Sequence, residues 1–328
     1  MDSATPPEFS VALAAVTYKR PELLAVLLES ITQMTWMPEY VIIVDNNSED
    51  DTPQVVESFR GVLGKNSRGE DRLIYAPQAE NTGGAGGFSE GTRLAYETGC
   101  EWIWLMDDDV AVEPNALELL YPWSKKFRVV QGRRRNFDGA PFYWQYDVNL
   151  RLGIPNPVAR ENFDAKGYLP MNTMCFEGAM FNRHVVEKIG LPDPRFFIYW
   201  DDSTYGYLAS RYTRCVAVGD FVMRRTRHLN HLDLKVRRLN GTSDMVRYHI
   251  MRNRGFVARY LQEHGDLRPF WFGVGTALTF AKEMIRIAAV DHSWVGGTRA
   301  VLRGMRDARR IIHDPNWEPM PAPYPPAS

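Results

Sequence analysis

Short apolar runs, each stopped by a polar cluster, organise the first third of the chain. Val11–Thr17 (VALAAVT) is apolar up to its last residue and predicts a buried strand. Tyr18-Lys19-Arg20 breaks it. Pro21 then suits the first turn of a helix that runs to about Gln33, with Leu23, Leu24, Leu27, Leu28 and Ile31 on one face. Val41–Val44 (VIIV) predicts a second strand, ending in Asp45-Asn46-Asn47-Ser48. Thr52 is placed to cap the next helix, with Pro53 at its first position. Leu73–Ala76 predicts a third strand, followed by the glycine-rich loop Asn81–Gly87 (NTGGAGG) and a helix from Ser89 to Gly99. Trp102–Met106 (WIWLM) predicts a fourth strand, which runs directly into Asp107-Asp108-Asp109.

Strands alternating with helices imply a parallel sheet with right-handed crossovers. Ligands of such sheets sit at the carboxyl ends of the strands. Each polar cluster above lies at such an end, so the pattern predicts a nucleotide-type site. Farther along, Phe196–Trp200 (FFIYW) is strand-like and closes on Asp201-Asp202. A helix over Ser203–Arg211 and a late strand over Val216–Arg225 follow. Met245–Gln262 and Phe270–Val290 predict helices, and Pro315–Ser328 an extended or disordered end. The expected organisation is a tail over 1–9, a catalytic domain over 10–240, a helical region over 241–314 and a Pro-rich tail over 315–328.

Composition narrows the class. With 328 residues, 45% hydrophobic and 12% aromatic, the chain has material for a large core, which excludes disordered and fibrous classes. Cys100, Cys175 and Cys215 are too few and too scattered for a disulfide framework or a cysteine-based zinc site. Met1–Ser10 lacks the basic-then-apolar pattern of a signal peptide, and the apolar run Pro269–Ala281 is shorter than the ~20 residues a bilayer needs. A soluble or peripheral protein is expected. The formal charge of −1 conceals a division. Between Arg224 and Arg310, 18 Lys and Arg stand against 7 Asp and Glu, so the remainder is strongly acidic.

Three consecutive carboxylates after a buried strand repel one another, and a divalent cation bridging to a phosphate would relieve that repulsion. Alternation along an extended chain turns Asp107 and Asp109 one way and Asp108 the other. A solvated acidic turn is the alternative, and the position at a strand end favours metal. Asp201-Asp202 emerges from an aromatic segment, where partial desolvation raises a carboxylate pKa and suits it to act as a general base. Helix capping would also place acids there. The Gly83–Gly87 loop offers backbone N–H groups to a phosphate or sugar, although it spells neither a dinucleotide nor a P-loop pattern. His228 and His231 follow the late strand, and either could complete an oxygen and imidazole site for Mn²⁺ or Mg²⁺.

VTYKRPELL, VDNNSEDDT, NTGGAGGF, WLMDDDV and FFIYWDDSTYGYLASR stand in that order over roughly residues 10–255. Together they resemble inverting family 2 glycosyltransferases of the GT-A fold, a Rossmann-like mixed α/β sheet flanked by helices, here with a C-terminal helical region. NTGGAGGF, the Trp-Asp-Asp motif and YHIMRNRG resemble bacterial galactofuranosyltransferases, above all those that initiate cell-wall galactan. The resemblance implies UDP-galactofuranose as donor and a lipid-linked glycan as acceptor. It implies Thr17 and Arg20 at the nucleoside, Asp45 near uracil, and Asn81, Gly83, Gly84, Asp107 and Asp108 on the donor side. Asp107 and Asp109 would hold Mn²⁺ or Mg²⁺ together with His228, or alternatively His231. Asp202 would be the base, with Trp200 and Asp201 bordering the acceptor. Unlike the family pattern, Arg224, Arg225 and Arg227 precede the histidines, and one of them could share the diphosphate charge.

Alternatives are a rhamnosyl- or other hexosyltransferase, a metal-dependent phosphohydrolase using Asp107 and Asp109, and a nucleic-acid binder using the basic segment. The arginines are dispersed and form no RNA or DNA motif, so no nucleic-acid partner is expected. Phe270, Trp271, Phe272, Leu278, Phe280, Met284, Ile285 and Ile287 with Lys282 and Arg286 suit an interfacial helix on anionic lipid, or an ordinary helix covering the catalytic domain. The expected location is cytoplasmic, peripheral on the inner face of the plasma membrane. Oligomeric state is not legible.

Overall fold

The structure is a computed structural model that describes residues 6, 8–142, 147–156, 163, 167–227, 232–233, 238–239 and 241–320. Its centre is a mixed sheet. Four strands, β1 (Val11–Thr17), β2 (Tyr40–Asp45), β3 (Leu73–Pro77) and β4 (Trp102–Asp107), lie parallel in the order β4-β1-β2-β3. They are joined by α1 (Pro21–Thr32), α2 (Thr52–Leu63) and α3 (Gly83–Glu97). All residues of β1 and β2 are buried, as uniformly apolar runs require when helices cover both faces. Pairing of Thr17 with Asp45, and of Val16 with Asp107, brings three strand ends into line. The predicted cap of α2 differs in detail, since Thr52 opens the helix and the Asp50 carboxylate accepts from its N–H.

Beyond β4 the chain passes through β5 (Val110–Val112), α4 (Ala116–Ser124), β6 (Val129–Arg135) and the short strands β7 (Pro141–Phe142), β8 (Val148–Asn149) and β9 (Ile154–Pro155). Then come β10 (Tyr168–Met171), β11 (Ala179–Asn182), α5 (Arg183–Ile189), α6 (Asp201–Tyr212) and β12 (Cys215–Arg225). β11 runs antiparallel between β4 and β6, and β12 parallel to β6, which makes the sheet mixed. Four helices close the described chain: α7 (Asp244–Arg252), α8 (Arg254–Glu263), α9 (Pro269–Arg286) and α10 (Trp294–Ile312). None of the described helices is long and apolar enough to cross a membrane.

Three expectations are corrected. Gly83–Gly87 is not a loop: it forms the first turns of α3, packed on β1 and β2. Glycine permits that closeness, because a Cβ on Gly87 would lie 2.5 Å from the Val16 side chain. Phe196–Trp200 is not a strand. A 3-10 turn over Pro194–Phe196 leads into a bend in which Phe197, Tyr199 and Trp200 have positive φ. The single helix expected over Met245–Gln262 is broken between α7 and α8 at Asn253, whose side chain serves the bend rather than solvent.

Candidate functional site

The alternation expected in the acidic triplet is present. Asp108 turns toward β1, where it accepts from Thr17 Oγ1 at 2.7 Å and Arg20 Nη1 at 3.1 Å. Asp107 and Asp109 turn toward Glu177, and one oxygen from each of the three lies within 4.8 Å of the others. Burial, compounded by Asp109, Glu177 and Asp108, holds the Asp107 carboxyl well above the ordinary carboxylate value. Burial and Glu177 raise Asp109 as well. Burial also raises Asp108, although Arg20 and Thr17 oppose it. Hard oxygen donors whose repulsion is incompletely neutralised fit Mg²⁺ or Mn²⁺.

Glu177, with Arg134, is what sequence reasoning missed. Its carboxylate takes a bidentate pair from Arg225, at 2.9 and 2.7 Å, and a third contact from Arg134 at 2.7 Å. Burial works to raise its pKa, but the two guanidiniums outweigh it and the net shift is downward. A single acid inside the apolar stretch MCFEGAMF was the available signal, because such an acid is seldom buried unpaired. Arg225, a candidate diphosphate partner, donates to Glu177 through Nε and Nη2.

At the neighbouring strand end, Asp45 is buried and internally engaged. It accepts from the Ser48 N–H at 3.0 Å and from the Tyr75 hydroxyl at 2.7 Å. Asn81 Oδ1 accepts from the Gly83 N–H, and Asn46 donates to the Gly83 carbonyl. The Ala85 N–H donates to the Phe197 carbonyl, so these amides fasten α3 to the bend instead of all facing a ligand. Gly83 has a φ of +73°, and a Cβ there would stand 2.1 Å from the Phe197 oxygen. Gly84 faces open space.

The same bend delivers Asp201 and Asp202 to the start of α6. Asn253 is fully buried and donates to the carbonyls of Phe196, Ile198 and Tyr199 at 2.9, 2.8 and 2.8 Å. The His249 ring stacks on Phe197 at 4.9 Å. Trp200 is buried, with its indole N–H on the Ile250 carbonyl. With Ser203, Thr204, Tyr207, Leu150 and Val257 it lines a small apolar pocket. Burial and the neighbouring Asp202 push Asp201 up to about 8. Asp202 accepts from the Ser203 N–H and rises to about 6, driven by burial and Glu177 and opposed by its Ser203 hydrogen bonds and Arg134. Glu177 therefore acts on Asp107 and Asp109 and on Asp202 together, while Arg225 acts on the first pair and Arg134 on Asp202. His228 and His231 lie outside the described residues.

The chain is similar to known proteins in sequence and in fold. Galactofuranosyltransferase GlfT1 of Mycobacterium tuberculosis is 32% identical over 203 residues, 59% of this chain and 62% of that protein. Its namesake in Mycolicibacterium smegmatis is 29% identical over 205 residues, 58% and 62% respectively. The chain thus spans less than two thirds of the curated relatives it matches. The crystal structure of S. aureus TarS 1-349 superposes with a TM-score of 0.57 at 12% identity, covering 93% of this chain and 81% of that one, and a structure of the same fragment is in complex with UDP-GlcNAc. The model of glycosyl transferase family 2 matches residues 13–190, more than half of the sequence. With this match and a mixed sheet of GT-A form, the chain belongs to glycosyl transferase family 2.

Proposed function

We propose that the protein transfers galactofuranose, with inversion, from UDP-galactofuranose to a polyprenyl-diphospho glycan acceptor in cell-wall galactan synthesis, working in the cytoplasm at the inner face of the plasma membrane. The observation that carries the reading is Asp202, a carboxylate raised to about 6 within electrostatic reach of the Arg134–Glu177 pair that borders Asp107 and Asp109. The likeness to galactofuranosyltransferases favours galactofuranose as the sugar, and family membership favours transfer over phosphohydrolysis.

In this reading Thr17, Arg20 and Asp108 form one hydrogen-bonded wall of the donor site, and Asp45, Asn81, Gly83 and Gly84 shape the rest. Asp45 acts through Ser48 and Tyr75 as much as by contact, since its oxygens are engaged. Asp107 and Asp109, with His228 or alternatively His231, would hold Mn²⁺ or Mg²⁺. Held there, the ion would supply Lewis-acid stabilisation of the departing diphosphate. Glu177 is occupied by two arginines and holds them beside that charge. Asp202 takes the proton of the acceptor hydroxyl as its oxygen attacks the anomeric carbon opposite UDP. Asp201, largely protonated at neutral pH, keeps a second negative charge away from that base. Trp200 supports the acceptor side from beneath, as its buried position allows.

A purified-protein assay tests this. UDP-galactofuranose is consumed in the presence of acceptor and Mn²⁺ or Mg²⁺, whereas preference for dTDP-rhamnose would select the rhamnosyltransferase alternative. Asp202→Asn lowers kcat by about 10²–10⁴ while UDP binding persists; wild-type turnover by that variant removes Asp202 as the base. A base must be ionised to act, so the rate rises with pH through about 6.

A further inference from the structure

Helix α9 is inside out. A surface helix ordinarily turns its apolar stripe to the core and its charges to water. In α9 the buried positions are Phe272, Gly275, Thr279, Glu283 and Arg286. Glu283 is fully buried and receives Arg286 on both oxygens at 2.8 Å. The exposed positions include Phe270 (75% exposed), Trp271 (49%), Leu278 (51%) and Ile285 (54%). Gly273, Ala277 and Ala281 are exposed between them, and the most exposed charge of the helix is Lys282, whose side chain is 34% exposed and paired with Glu283. The spacing of Phe270, Leu278 and Ile285 keeps them on one stripe. Trp294 (56%) and Val295 (75%) open α10 with another exposed apolar pair.

Charge identifies the occupant. Arg268 stands exposed at the entrance to α9, and α10 presents Arg299, Arg303, Arg306, Arg309 and Arg310 to solvent. Asp307 is shared among Arg303, Arg306 and Arg310, so a positive excess remains. Two copies meeting through such cation-flanked surfaces would repel each other, whereas an anionic bilayer attracts the cations and accepts the aromatic and aliphatic groups. We propose that the outer face of α9, with the start of α10, is an in-plane docking surface for an anionic lipid bilayer. Eighteen residues make α9 about 27 Å long, and its length and polarity do not permit it to cross. The inference deepens, and in its choice of lipid rests on, the reading that the acceptor is lipid-borne.

The test is flotation of the full chain with vesicles of phosphatidylglycerol and phosphatidylcholine. Wild-type protein co-floats with mixed vesicles, and less with pure phosphatidylcholine or at high salt. Leu278→Glu with Ile285→Glu weakens binding by about tenfold per site, while its thermal unfolding matches wild type because both side chains are exposed. Equal flotation of wild type and variant overturns the proposal. So does a wild-type dimer in light scattering that the variant converts to monomer, since a second copy would then cover the face. Turnover of a short water-soluble acceptor analogue stays the same in both proteins. If neither turns it over, the transferase reading fails while the flotation comparison still decides the docking surface.

Discussion

Glu177 joins the charges of the site into one network. Arg134 is 2% exposed and Arg225 13%, and both pair with one carboxylate that is itself 4% exposed. Burying charges is costly, and removing one member of such a set leaves the others dry and uncompensated. Glu177→Gln keeps the side-chain shape but strands two guanidiniums, so unfolding in urea should show a loss of about 3–5 kcal/mol at unchanged m-value. A loss below about 1 kcal/mol would mean that water relieves the arginines and that the network is not structural. Three adjacent carboxylates likewise differ in duty because of their partners. Asp108 is held by Thr17 and Arg20, whereas Asp107 and Asp109 face one another's repulsion.

The bend before α6 is the element on which the proposed chemistry turns. Non-glycine residues at positive φ are strained, and Phe197, Tyr199 and Trp200 are tolerated because neighbours fix the backbone. Asn253 supplies much of that fixation from the joint of α7 and α8, its amide protons divided among three carbonyls. Asn253→Ala should lower kcat by about tenfold or more, as loss of positioning does, and should move the acid limb that Asp202, as the proposed base, would set near 6. UDP affinity should change by less than about twofold. Unaltered kcat and pH profile would show that Arg252, which donates to the Phe196 carbonyl at 2.8 Å, and the Phe197–His249 stack suffice. This element also marks where sequence legibility stopped. β1 to β4, α1 and the acidic strand end are local patterns of apolar runs and breakers, and they emerge where expected. FFIYW has a strand's composition, and only its contacts with Asn253 and α3 some distance away in sequence bend it. Glycines of NTGGAGG suggested a loop because helix propensity is poor there, but close packing on β1 decides in favour of α3. Glu177 reaches its arginines across strands far apart in sequence, which no local pattern encodes.

At the scale of the whole molecule, acidic groups held above their ordinary pKa gather on one side of the sheet. Asp107, Asp108 and Asp109 are raised chiefly by burial, as are Asp202, to about 6, and Asp201, to about 8. A folded-state carboxyl above its unfolded value retains a proton that the unfolded chain releases. These five groups therefore favour the folded chain at acid pH and withdraw that support as pH climbs from about 4 to about 8. Glu177 opposes the trend, because its pKa is lowered and its contribution is lost on acidification. A divalent cation held by Asp107 and Asp109, as proposed, would bind only the folded chain and would compete there with protons. Its stabilising effect should consequently grow with pH. Thermal unfolding with and without Mn²⁺ at about pH 5.5 and about pH 8 measures this. The increase in Tm should be larger at the higher pH and vanish in Asp107→Asn with Asp109→Asn. An equal or smaller increase at about pH 8 would mean that the ion binds elsewhere, and the acidic strand end would then owe its elevated pKa values to burial alone.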